Sequence, residues 1–418
     1  MSSSKNNGIS RSSILSYVVF GFSISLVLLL CVSIIFPALI ESTTSEFKEF
    51  PFYTQQVEPF EVGALAIPFV IINLIILFIC IMYYKKYFSL NRISNFDISK
   101  KIATISIIII LSAYIIASVP EFETNEETKF DDYIEMEKRL NEAIRDNRFT
   151  IEDAINGNQN YSVGEPHVKY TLLLISEKLF GEFRAIALIA SAGLLLATYL
   201  IVNEITKKRI PGIFALVLVL QSNIFLNYDT SATYSNFWIL FYVLSLYLII
   251  KKWQISPIVF LFSIFSKALS VIFLPFTIFF VLNSTKGKKR MYLGIFYGIL
   301  IIGGLFTATN SKILFDDTIT YLPENFLKGF ESFSYQLRFD PIILIFLLPL
   351  TIMLFLKSLK GFHHANSVQI LISGFLLIPP LLITFTQQTN EPYRLIPLVV
   401  FFAIGVGTMF GKIRQDES

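Results

Sequence analysis

The chain has 418 residues, of which 54% are hydrophobic and only 16% are charged, and it contains 42 Phe and 19 Tyr but two Cys. Soluble domains carry about 25% charged residues, so this composition excludes an ordinary soluble globule and a disordered chain, and two cysteines exclude a disulfide scaffold. The net charge of +3, taken as a total, excludes no class of protein. The class that remains is a polytopic membrane protein.

Apolar segments recur along the chain at lengths that suit membrane-spanning helices, since about 20 helical residues cross a hydrocarbon core of about 30 Å. The first is too long for a signal-peptide core and has no cleavage site, so we interpret it as an uncleaved span. The sequence predicts an all-α fold of about twelve transmembrane helices. These are 14–40, 64–84, 102–119, 184–204, 212–226, 236–250, a pair within 255–283, 291–308, 341–356, 367–386 and 395–411.

The pair within 255–283 is inferred from charge. Basic clusters lie at both ends, at Lys251-Lys252 and at 286–290, and basic clusters favour the cytoplasmic side. Two short helices broken near Ser266-Lys267 place both clusters on one side, whereas a single helix does not.

The same rule predicts the topology. Connections on one side of the predicted spans hold most of the lysines and arginines and few of the acids. We therefore expect a multi-pass protein of the cell membrane with both termini cytoplasmic. The chain divides into three N-terminal helices (1–119), a large acidic extracytoplasmic loop (120–183) and the remaining helical bundle (184–418).

The loop 120–183 contains an amphipathic helix after Asp131-Asp132. Apolar residues follow at helical spacing, among them Tyr133, Met136 and Leu140. Acidic residues at a helix start can cap free N–H groups and meet the positive end of the dipole. The alternative is that one of the two carboxylates acts as a general base above the membrane surface.

A second segment of this loop, 165–181, is too short and too charged to span a membrane. Pro166 suits the start of a helix and Gly181 its end. We interpret the segment as an interfacial helix lying on the outer leaflet. His167 is more simply a surface residue than a metal ligand, because no Cys or second His is near it.

Several pieces of the sequence carry a family resemblance through their order. They are Asp131-Asp132, Glu165-Pro166-His167, Leu179-Phe180-Gly181, Arg184, Lys207-Lys208-Arg209, 227–235, 265–275 and 391–397. In this order they resemble the GT-C superfamily of polytopic glycosyltransferases, in particular the branch with protein O-mannosyltransferases and the aminoarabinose transferase of lipid A. The loop start reads Phe-Asp-Asp-Tyr where members commonly have Asp-Glu, so either Asp can match the family base. Two further spans precede the loop.

The resemblance implies an enzyme that moves a hexosyl or pentosyl group from a polyprenyl-phosphate donor in the membrane lipid to a protein, glycan or lipid acceptor outside. It implies Asp131 or Asp132 as the base, with cationic side chains that hold the lipid phosphate. The predicted phosphate- and substrate-binding residues are Lys267, Arg394, Arg184, Tyr393, Glu165 and His167. The three cations can instead extend to lipid headgroups.

Asp229, in the second outer loop, is predicted as an auxiliary catalytic acid or as the ligand of a divalent cation, Mg²⁺ or Mn²⁺. It can equally cap the helix that follows. No cluster in the sequence has clear metal-ligand spacing, so a metal requirement stays open.

Other functions compete with this one. A lipid-linked polysaccharide polymerase or ligase uses similar donors, and a twelve-helix secondary transporter has the same number of spans. Transporters of that kind usually place ionisable residues near mid-membrane, and these are scarce here. A non-catalytic scaffold of the same fold is a further alternative. Nothing in the sequence points to a nucleic-acid partner.

Overall fold

The computed structural model of the protein describes residues 11–37, 39, 60, 62–63, 65–85, 87, 96–130, 132–145, 167–309, 321–323, 325–337, 340–385 and 392–411. Within these ranges the regular elements are helices, and they include no strand. The predicted all-α class is therefore confirmed for this part of the chain.

The helices follow one another with short connections. The α-helices are α1 (Arg11–Ile35), α2 (Ala66–Tyr84), α3 (Lys100–Ser118), α4 (Glu126–Lys129), α5 (Tyr133–Arg145), α6 (His167–Phe180), α7 (Arg184–Thr206), α8 (Arg209–Leu220), α9 (Asn223–Tyr228), α10 (Phe237–Lys251), α11 (Ser256–Ser266), α12 (Leu274–Ser284), α13 (Gly287–Thr309), α14 (Asn325–Leu337), α15 (Pro341–Leu359), α16 (His363–Phe385) and α17 (Ile396–Thr408). Three 3₁₀ segments join them, at Val119–Glu123, Ala268–Phe273 and Pro392–Leu395.

A helix occupies each of the twelve apolar segments predicted to span the membrane. Among the described residues, six helices are long and apolar enough to cross by length and composition, namely α1, α2, α3, α7, α15 and α16. Shorter apolar helices, such as α8 and α10, pack beside them. The protein is thus a helical membrane protein, and the number of crossings beyond six stays a prediction.

The segment 255–283 forms two helices, as its charges predicted. Helix α11 ends at Ser266, and Lys267 adopts an extended conformation with φ −161° and ψ 114°. The chain then makes a 3₁₀ turn before α12, which has Pro275 in its first turn. Proline suits that position because its missing N–H would have no helical partner there. The break therefore leaves Lys267 in a turn between two helices.

The connections predicted to be cytoplasmic meet at one end of the bundle, here called the basic end. The Arg209 guanidinium lies 3.3 Å from the Asp97 carboxylate, and the Lys251 ammonium lies 3.0 Å from that of Glu204. Contacts that join α7 to α10, and α8 to the segment before α3, thus gather at this end. Which membrane face it occupies stays a prediction.

The opposite end, here called the acidic end, collects the loop 119–145, helix α6, the loop 229–236 and the turn 392–395. The Lys129 ammonium donates to the Asn227 carbonyl at 2.9 Å, and the Ser222 hydroxyl donates to Asp340 at 2.7 Å. Residues more than 90 positions apart are therefore held together at this end.

The two predicted amphipathic helices pack against each other at the acidic end. Met136 and Leu140 of α5 are buried in one cluster with Tyr170 and Leu173 of α6. Gly181 has a φ of +66°, a left-handed conformation that glycine adopts readily and that ends α6 as predicted. This packing fixes the start of α5, and with it Asp132, above the bundle.

Candidate functional site

A cleft of about 360 Å³ opens at the acidic end of the bundle. Its walls come from the start of α5, from α6, from the loop 229–236 with the first turn of α10, and from the turn between α11 and α12. Asp132, Lys267 and Tyr393, which the sequence singled out separately, all line it. The fold therefore brings together three predicted site residues that lie more than 120 positions apart in the chain.

One wall of the cleft carries carboxylates. Asp132 is exposed just before α5, and Glu135 lies about one turn further along that helix. The Tyr234 hydroxyl donates to the Asp132 carboxylate at 2.6 Å. One carboxylate oxygen is thereby oriented, and the group can accept a proton from a ligand in the cleft. Asp131, the other predicted base, lies outside the described residues.

Another part of the lining, here called the lysine wall, carries Lys267 and Lys169. The Lys267 ammonium lies 4.2 Å from the centre of the Tyr393 ring and 5.6 Å from that of Trp238. These contacts are of the cation–π type, and no described carboxylate forms an ion pair with Lys267. Burial lowers the pKa of Lys267 well below its usual range, and the charges of Arg394 and Lys169 lower it further. An anion bound here would supply the missing counter-charge.

Lys169 of α6 is the second lysine of this wall, and its ammonium donates to the carbonyl oxygen of Thr233. Burial lowers the pKa of Lys169 to about 8, although the nearby carboxylates of Glu126 and Asp132 oppose that shift. The sequence analysis missed this residue. Its signal was present, because Lys169 lies beside Tyr170 and one turn before Leu173 on the buried side of α6.

Arg394 follows Tyr393, and its guanidinium Nε donates to the Tyr393 hydroxyl at 3.2 Å. It does not line the cleft, but its charge acts on Lys267. The Tyr393 ring stacks on that of Tyr234, with centroids 4.0 Å apart and an angle of 15°. The two tyrosines thus connect the carboxylate wall to the lysine wall.

Arg184, predicted to bind phosphate, lies away from the cleft and is buried. Its guanidinium donates to the carbonyl oxygens of Glu121 at 2.6 Å and of Thr124 at 2.8 Å. Its Nε lies 3.8 Å from the Glu126 carboxylate. The structure therefore places Arg184 as a support that fastens residues 121–126 to the bundle.

Glu126 of α4 is the carboxylate that lies beside Arg184. The sequence analysis did not identify it. Its carboxylate is buried and accepts the Ser231 hydroxyl at 2.6 Å, the Ala232 amide at 3.1 Å and the Thr233 amide at 2.9 Å. The next residue, Tyr234, orients Asp132. Glu126 thus fixes the loop that contacts both walls of the cleft.

Asp229 is also outside the cleft lining, and only 1% of it is exposed. The Ser118 hydroxyl donates to its carboxylate at 3.1 Å. Burial raises the pKa of Asp229 to about 6, and Glu121 adds to the shift, although the nearby Tyr114 hydroxyl and the hydrogen bond from Ser118 oppose it. Within the described ranges no three His, Cys, Asp or Glu side chains converge. The Mg²⁺ or Mn²⁺ at Asp229 stays a prediction.

The remaining predicted residues contribute less to this geometry. His167 is the first residue of α6, half-buried and outside the cleft lining, and burial lowers its pKa. Glu165 falls outside the described part of the chain.

Comparisons of the chain with protein-family models, with curated proteins and with solved structures find no match.

Proposed function

We propose that the protein is a membrane glycosyltransferase that moves a sugar from a polyprenyl-phosphate donor to an acceptor hydroxyl at the acidic end of the bundle. The observation that carries the proposal is that Asp132 and Lys267 both line one cleft. Such transfer needs a proton acceptor and fixed positive charge on either side of the reacting carbon.

In the proposed reaction, the acceptor hydroxyl attacks the anomeric carbon of the sugar and its proton passes to the Asp132 carboxylate. The new bond from the acceptor oxygen to carbon forms as the bond from carbon to the phosphate oxygen breaks. The lipid phosphate leaves with that electron pair. No redox partner or further reactant is needed.

The lysine wall suits the leaving phosphate. Lys267 contacts aromatic rings and has no carboxylate partner among the described residues, so a phosphate bound beside it would favour its charged form. Lys169 lies near enough for the two lysine charges to act on each other. Fixed cations that meet charge developing in the transition state are among the largest contributions to catalysis.

The surroundings of Lys267 suit the lipid part of the donor. Helix α11 ends one residue before it, and Phe262 and Phe265 of that helix are 44% and 38% exposed. An apolar surface beside a cation matches a lipid chain that ends in a phosphate. The polyprenyl chain would lie along α11 within the bilayer and deliver its phosphate to Lys267.

The place of the cleft favours a transferase over a transporter. Secondary transporters bind their substrate near the bilayer midplane, between broken helices. Here the cleft lies at one end of the bundle, under the interfacial helices α5 and α6. A polymerase or ligase would use the same donor chemistry and would differ in the length of its glycan product.

The test is transfer by the purified full-length protein from a set of radiolabelled polyprenyl-phosphate sugars. We expect Asp132→Asn to lower the rate by about 10²-fold or more, as for loss of a general base. Glu137→Gln is the matched control, because it changes a carboxylate of the same helix that does not line the cleft. Asp131→Asn and the double variant complete the series.

Two results would overturn the proposal. Transfer that survives Asp131→Asn, Asp132→Asn and their combination would remove the base assignment. Uptake of a solute into proteoliposomes, with no sugar transfer from any donor, would support a transporter instead.

A further inference from the structure

Helix α10 begins inside the cleft. Ser235 and Trp238, on either side of its first residue, both line the cavity. The N-cap residue, Asn236, makes no side-chain cap hydrogen bond. The first amides of a helix have no helical acceptor, and they add to the positive end of its dipole. This 15-residue helix therefore directs a positive end at the cleft.

Two hydroxyl groups beside this helix start are buried without a partner. Thr233 and Ser235 line the cleft and are each 6% exposed. Neither hydroxyl has a hydrogen-bond partner among the described residues. Unpaired polar atoms are unfavourable in a folded protein. Ser266 differs, because it lines the same cleft but its hydroxyl donates to the Phe262 carbonyl at 2.7 Å.

Positive side chains flank the same place. The Lys267 ammonium lies over the ring of Trp238, in the first turn of α10. The Lys169 ammonium holds the Thr233 carbonyl. Hydroxyl donors, free helix amides and ammonium groups thus share one wall, and this combination suits phosphate oxygens.

We propose that the phosphate group of the ligand binds at the first turn of α10, where the Thr233 and Ser235 hydroxyls donate to its oxygens. This inference rests on the proposed function, since it takes the ligand to be a phosphate ester of a lipid. It goes further in assigning the phosphate to a helix start and two neutral donors, in addition to the lysines.

The test measures binding of a short-chain polyprenyl phosphate to the purified full-length protein in detergent, with the neutral polyprenol of the same length as reference. We expect Ser235→Ala and Thr233→Val each to weaken binding of the phosphate about tenfold, as for a lost hydrogen bond to a charged group. Thr233→Ser keeps the hydroxyl and should bind the phosphate as the wild type does. Ser266→Ala is the matched control and should bind as the wild type does.

The thermal stability of the empty protein separates a binding role from a structural one. The Ser235→Ala and Thr233→Val variants should be at least as stable as the wild type, because each removes an unpaired buried hydroxyl. A clear loss of stability would overturn the inference, since it would show that the hydroxyls support the fold.

The two proposals fail in different ways. If Lys267→Met abolishes phosphate binding while Ser235→Ala and Thr233→Val bind normally, the phosphate lies elsewhere in the cleft, and only this inference is wrong. If the wild type binds the phosphate no better than the polyprenol, the proposed function and this inference both fail.

Discussion

The buried carboxylate of Glu126 gives the sharpest test of how the cleft is held together. Its Oε1 accepts from the Ser231 hydroxyl and the Thr233 amide, and its Oε2 accepts from the Ala232 amide and faces the Arg184 guanidinium. All four of these groups donate, and of them only the Ser231 hydroxyl can also accept. In Glu126→Gln, either orientation of the amide turns its NH₂ group toward two of these donors.

The magnitude follows from the contacts that this change removes. One hydrogen bond to a charged group is lost, at about 1.5–3 kcal/mol, and the Arg184 charge is left without its buried counter-charge. Breaking a buried ion pair on one side costs about 3–5 kcal/mol. At 3.8 Å this pair is not in contact, so the lower figure applies. We expect a loss of about 3 kcal/mol in the free energy of unfolding.

The assay is thermal unfolding of the purified protein in detergent, at one fixed scan rate. A loss of about 3 kcal/mol in a chain of this size lowers the apparent Tm by roughly 3 °C. Glu127→Gln is the matched control, because Glu127 is the next residue of α4 and is exposed. Equal Tm values for the two variants would refute the reasoning that Glu126 fastens the loop 231–234.

Three further predictions concern single sites. Burial lowers the pKa of Lys169 to about 8, so binding of a polyprenyl phosphate should weaken as the pH rises from 7 to 9. Lys169→Arg should reduce that dependence, and what remains belongs to Lys267, whose pKa is also lowered; a pH profile that Lys169→Arg leaves unchanged would contradict the prediction. Because the pKa of Asp229 is raised to about 6, its protonation stabilises the fold at low pH and this contribution is lost as the pH rises through 6. Asp229→Asn should therefore raise Tm at pH 7.5, by the equivalent of at most about 3 kcal/mol. If Asp229 instead holds a metal ion, the variant should lose metal-dependent activity. A Cβ added at Gly329 would lie 2.3 Å from the Pro380 Cα, so Gly329→Ala should lower Tm by more than Gly298→Ala, which meets nothing within 4 Å.

The helices were largely predictable because a membrane imposes one strong condition. Every backbone polar group inside it must pair within its own segment, so an apolar stretch of sufficient length has to be helical. The break at Ser266-Lys267 was also predictable, because charge at both ends of 255–283 required an even number of passes. Helix α14 was missed, since its 13 residues are amphipathic and lie in a segment that otherwise looked like a loop.

The candidate site was only partly predictable. Asp132 was found from the acidic start of an amphipathic helix and from the family resemblance, and Lys267 because ionisable residues within apolar segments are uncommon and usually need a purpose. Glu126 could not be found, because its environment consists of backbone amides from a loop more than 100 residues away. Arg184 and Asp229 were assigned to the site although they do not line the cleft. The sequence does not show that these two side chains are buried in the bundle.

The two walls of the cleft come from parts of the chain with different surroundings, and this implies a division of roles. Asp132 directly precedes the amphipathic helix α5, whereas Lys267 lies in the turn between the apolar helices α11 and α12. If the base acts on the acceptor and the lysine on the donor phosphate, Asp132→Asn should lower kcat and leave donor binding unchanged.

Lys267→Met should instead weaken donor binding, since it removes a cation that no described carboxylate neutralises. The measurement is direct binding of the polyprenyl phosphate beside steady-state kinetics for both variants. Lys178→Met, at an exposed position of α6, is the control. Equal effects of the Asp132 and Lys267 changes on binding and on kcat would contradict separate roles. The cleft would then act as one coupled charge network, in which the carboxylate wall holds the lysines in place.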